Sequence, residues 1–78
     1  TREEILKDML DNFNEGRSKS YYCIAVTVMK IEELKEALII AREKSHGLDI
    51  KDKSKILHST LDGIAKQGGY YLKLRKKN

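Results

Sequence analysis

The sequence predicts an α+β fold: three helices packed on a two-stranded antiparallel sheet, in the order α-β-α-α-β. Three observations carry that expectation. Apolar residues recur at helical spacing in three separate stretches. Between the first and second of these, residues 21–29 are dense in β-branched and aromatic side chains. After the third, a glycine pair precedes the alternating run Tyr70-Tyr71-Leu72-Lys73-Leu74-Arg75, which has the pattern of a strand.

The first helix opens on Thr1-Arg2-Glu3-Glu4, a capping-box pattern in which Thr1 is the N-cap and Glu4 reaches back to it. Ile5, Leu6, Met9, Leu10 and Phe13 form its apolar stripe, with Glu3, Asp8, Asp11 and Glu15 outside it. The early acids suit the positive end of the helix dipole. Gly16 is a natural terminator.

Arg17-Ser18-Lys19-Ser20 is a polar connector, and Tyr21 to Met29 follows as the first expected strand. In an extended chain Ile24, Val26 and Val28 share one face. Cys23, Ala25 and Thr27 share the other, small enough for both faces to be partly covered. The period then turns helical over 31–46. Ile31, Leu34, Leu38 and Ala41 lie on one stripe, and Gly47 ends it.

Asp49 or Asp52 can cap the third expected helix, 50–67. Ile50, Leu57, Leu61 and Ile64 are its apolar positions, with Ile56 and Ala65 beside them. Lys51, Lys53, Lys55, His58, Ser59, Asp62 and Lys66 fall outside. Gly68-Gly69 stops it. A strand followed by a helical hairpin returns in the opposite direction, hence the expected antiparallel pairing. Two strands alone are marginal, so the helices must supply most of the burial.

With 78 residues the chain has the length of one small domain, 1–78, with a thin core. Cys23 is the only cysteine, which excludes an internal disulfide, and two histidines give a structural zinc site little to work with. The lone thiol and the absence of a bilayer-length apolar run point to a soluble protein of a reducing compartment, the cytoplasm, with no membrane partner.

The net charge of +4 is segregated. Residues 1–16 and 31–50 are acidic. Residues 17–30 contain Arg17, Lys19 and Lys30 and no acid, and the last residues contain Lys73, Arg75, Lys76 and Lys77 and no acid. Antiparallel pairing of the two strands would join Arg17 and Lys19 to Arg75, Lys76 and Lys77 in one patch, with Tyr21 and Tyr22 at its edge. Such a patch suits phosphates, whose binding releases counterions.

The helices 31–46 and 50–67 are joined through Ser45-His46-Gly47-Leu48-Asp49, a glycine-containing connector that also fits a helix-turn-helix. The second of the pair would present Lys51, Lys55 and His58 to a major groove. In element order the chain resembles a winged-helix domain over most of its length. It departs from that pattern at the end, where a complete wing needs a further strand after the last one.

These features predict a small non-enzymatic nucleic-acid-binding domain, DNA foremost. Its contact residues would be Arg17, Lys19, Lys51, Lys55, His58, Lys73, Arg75, Lys76 and Lys77. No cofactor and no metal are expected. The alternative is a protein-interaction or homodimerisation module that pairs through an open sheet edge. One tyrosine of each pair, Tyr21-Tyr22 and Tyr70-Tyr71, is expected in the core, and Cys23 is expected as a buried small hydrophobe. No glycine-rich phosphate loop, Gly-x-Ser-x-Gly elbow or paired-carboxylate motif is present.

Overall fold

The computed structural model describes residues 1–16, 18–69 and 72. They form four helices: α1 (Arg2–Asn12), α2 (Lys19–Val28), α3 (Ile31–Ser45) and α4 (Ile50–Gln67). Among the described residues there is no strand.

This overturns the α+β expectation at its best-supported strand. Residues 21–29 are helical, and the reason lies in a second period within the same stretch. Tyr22, Ala25, Val26 and Met29 are all buried, at spacings of three, four and seven that only a helix brings to one face. Thr27 and Val28 are left exposed. A β-branched residue costs a helix a few tenths of a kcal/mol relative to alanine, roughly 0.7 at most. Fully burying a large apolar side chain returns about 1.5–3 kcal/mol. Three such side chains on one face outweigh the local preference.

The second expected strand lies outside the described residues except for Leu72, which is fully buried in the core. The winged-helix-like layout required a strand at 21–29 and falls with it. So does the strand pairing that was to join Arg17 and Lys19 to the C-terminal charges.

The helix ends follow from local chemistry. Thr1 and Glu4 form the capping box of α1: the Glu4 amide donates to Thr1 Oγ1 at 3.2 Å, and Glu4 Oε1 accepts from the amino terminus at 2.9 Å. Phe13, not Gly16, caps the other end and turns its ring into the core at 2% exposure. Only Met29 and Lys30 separate α2 from α3. The orphan carbonyls at the end of α2 are met from α1, where Arg2 Nη1 donates to Val26 O at 2.5 Å and Met29 O at 2.6 Å. Asp49 caps α4, its Oδ1 accepting from the Asp52 amide at 3.0 Å. Gly47, at φ +83°, gives the connector its left-handed turn.

The core gathers Met9 from α1 with Phe13 just past its end, Tyr22 and Ala25 from α2, and Leu34, Ala37 and Ala41 from α3. Leu57 and Leu61 come from α4, with Met29 and Leu72 from outside the helices. The pair α3–α4 has the most extensive helix–helix contact. Among the described residues no helix is long and apolar enough to cross a membrane.

Candidate nucleic-acid interface

Ser18 stands at the N-cap of α2, yet its side chain makes no cap hydrogen bond. It is 2% exposed and directed at α4: its Oγ lies 2.9 Å from Ser54 Oγ and 3.0 Å from His58 Nε2. One turn further along α2, Tyr22 donates its hydroxyl to the Phe13 carbonyl at 2.6 Å and stands 3.4 Å from Ser54 Oγ. Four polar side chains thus tie the end of α1, the start of α2 and the middle of α4 together. Among the described residues no buried side-chain polar atom lacks a partner. A satisfied network of this kind fixes one arrangement of the helices, because any other leaves buried groups unpaired.

The histidine is part of this brace. Its ring stacks on Tyr21 at 4.1 Å between centroids, the planes 10° apart, and meets Tyr22 edge-on at 5.3 Å. The Tyr21 hydroxyl donates to His58 O at 3.2 Å and to Asp62 Oδ1 at 3.0 Å. Desolvation holds the His58 pKa below the ordinary imidazole value, against the opposing charges of Asp62 and Glu15. Burial raises the Tyr21 pKa, reinforced by the hydrogen bond to Asp62, and burial also raises that of Tyr22. Ser18 beside an imidazole has two members of a nucleophile–base pair. At 2% exposure, with its oxygen shared between Ser54 and His58, the serine offers a substrate no approach.

The contact decides where the exposed cations sit. Lys19 follows Ser18 and Lys55 follows Ser54, so the 2.9 Å contact brings their backbones together, with Lys51 one turn from Lys55 on α4. All three side chains are exposed. None of the three forms an ion pair with a described residue, whereas Lys7 pairs with Asp11, Arg42 with Asp8 and the amino terminus with Glu4. The first turns of α1, α3 and α4 all carry acids, whereas that of α2 carries none. The first turn of α2 thus supplies no acid of its own to the positive end of its dipole, and the acids that face it are Asp62 and Glu15.

Of the sequence-predicted contact residues, Lys19, Lys51 and Lys55 share this neighbourhood. His58 is half-buried within it and occupied by Ser18 and Tyr21. Arg17, Lys73, Arg75, Lys76 and Lys77 lie outside the described residues. Sequence reasoning missed Ser18, Ser54 and the joint role of Tyr21 and Tyr22. The available signal was two polar pairs at helical spacing, Ser18 with Tyr22 and Ser54 with His58.

A separate groove of about 380 Å³ runs between α1 and α3, lined by Glu4, Ile5, Asp8, Lys35, Ile39 and Arg42 among others. Ile39 is 58% exposed there, the most exposed large apolar side chain among the described residues. The chain matches no family model, no curated protein and no solved structure.

Proposed function

We propose that the chain binds nucleic acid, holding backbone phosphates on the face where the start of α2 meets α4. The observation that carries this reading is the Ser18–Ser54 contact, which sets the acid-free start of α2 against the lysine-bearing turns of α4. Lys19, Lys51 and Lys55 supply phosphate contacts. His58 supports them from below by holding Ser18, a positioning role in place of a base contact. Leu72 is anchored in the core, so the basic run Lys73, Arg75, Lys76 and Lys77 begins directly after a fixed residue and adds charge to the same chain. Arg17 immediately precedes the Ser18 anchor and belongs to the proposed contact set. Phosphate contacts of this kind give affinity and orientation without sequence preference. Titration of labelled mixed-sequence duplex DNA and of RNA at low salt tests the proposal. Saturable binding supports it, and no binding to either refutes it.

A second reading, self-association, is favoured by the groove between α1 and α3. The groove has an acidic edge, Glu4 and Asp8 on α1, and a basic edge, Lys35 and Arg42 on α3. A two-fold axis along the groove lays the acidic edge of one copy on the basic edge of the other, with Ile39 near the middle. This surface replaces the sheet edge as the route to a dimer. Sedimentation over a wide concentration range should show a dimer that Ile39→Glu abolishes. A strict monomer throughout would rule it out.

A further inference from the structure

We infer a second binding site, for a small phosphate-type dianion, in a pocket of about 360 Å³ between the end of α1, the end of α3 and the first turn of α4. Its polar lining consists of Asn12, Arg42, Ser45, His46 and Lys53, with Phe13 and Gly47 completing the wall. No carboxylate of the described residues lines it. The acid in contact with Arg42 and Asn12, Asp8, is already occupied. Both its oxygens accept from Arg42 Nη2, at 2.6 and 2.5 Å, and its Oδ1 also accepts from Asn12 Nδ2 at 2.6 Å.

Two groups in the pocket have donor capacity to spare, Arg42 and Lys53. Arg42 uses only Nη2 on Asp8, leaving Nη1 and Nε without a hydrogen bond among the described residues. Lys53 is half-buried and forms no ion pair with a described residue. The aspartate four residues before it, Asp49, is engaged as the cap of α4. An ammonium without a counter-charge among the described residues is a group that an anion stabilises. Ser45 is 1% exposed and lines the pocket. The carbonyls at the end of α3 oppose an anion with roughly half a charge, and Arg42 and Lys44 in its last turn offset them. A guanidinium, an ammonium and a hydroxyl around one small space are the donors that a tetrahedral oxyanion takes.

This site is distinct from the proposed nucleic-acid face. Lys53 lies two residues from both Lys51 and Lys55, about 200° around the helix. The test is a titration of isotope-labelled protein with inorganic phosphate, and separately with phenyl phosphate, at constant ionic strength held with sodium chloride. Saturating amide shifts are expected at Ser45, His46, Gly47 and Lys53. Lys53→Gln should weaken binding by about tenfold, the loss of one charge-assisted hydrogen bond. Ser45→Ala should weaken it less, and Lys66→Gln, at the far end of α4, should leave it unchanged. Shifts that grow linearly without saturating would overturn the inference, as would equal affinity of Lys53→Gln and the parent chain.

Discussion

The imidazole Nε2 of His58 lies 3.0 Å from the hydroxyl oxygen of Ser18, forty residues away in sequence. That bond joins the start of α2 to the middle of α4, and three further polar side chains close around it. It joins the segments that carry Lys19, Lys51 and Lys55.

The burial of His58 makes stability depend on pH. Burial lowers the His58 pKa in the folded chain relative to its ordinary value of 6.5. The unfolded chain therefore takes up the proton first as pH falls. The contribution of this group is fully present above the unfolded pKa and is lost as pH falls below it toward the folded value. Urea midpoints measured from pH 8 to pH 5 should decline in that window. His58→Gln should start lower and lose that part of the decline. An equal decline in the variant would detach His58 from the effect.

The two adjacent tyrosines should respond differently to loss of their hydroxyls. Tyr22 is fully buried, and its hydroxyl satisfies the Phe13 carbonyl at 2.6 Å. Tyr22→Phe should cost about 1–3 kcal/mol, since it leaves a buried acceptor unmet. Tyr21 is half-buried and its hydroxyl reaches the exposed Asp62. Tyr21→Phe should cost about 0.5–1 kcal/mol. Denaturant melts of the two variants decide it, and the reverse order would contradict the network as described.

A substitution with opposite signs in a helix and a strand separates the two readings of residues 21–29. Thr27 is exposed in α2, and its hydroxyl donates back to Cys23 O at 2.8 Å within the helix. Thr27→Ala should stabilise the chain by a few tenths of a kcal/mol, about 0.5 by helix propensity. In a strand the same change would destabilise it. A lowered unfolding midpoint would count against the helix.

Local signals in the sequence carried over well. The Thr1–Glu4 box is where the sequence places it, the α4 cap falls to Asp49 of the two candidates Asp49 and Asp52, and Gly47 turns left-handed just past the end of α3. The stretch 21–29 failed because two periods coexist in it. Ile24, Val26 and Val28 alternate, while Tyr22, Ala25, Val26 and Met29 follow a helix. The β-branched residues give the alternating set more local weight. The choice belongs to tertiary burial against α1 and α3, which a local window does not contain. The candidate site was half legible for the same reason. Exposed lysines at 51 and 55 follow from the apolar stripe of α4. The engagement of His58 depends on Ser18 and Tyr21, and nothing in the residues around His58 announces them.

The salt dependence of nucleic-acid affinity tests the central claim most directly. Each phosphate neutralised on duplex DNA contributes about −0.9 to the slope of log affinity against log salt. The slope of the parent chain should be steep, and Lys19/Lys51/Lys55→Gln should flatten it by about two to three units with the unfolding midpoint unchanged. A slope that the triple substitution leaves untouched would contradict the assignment of this face.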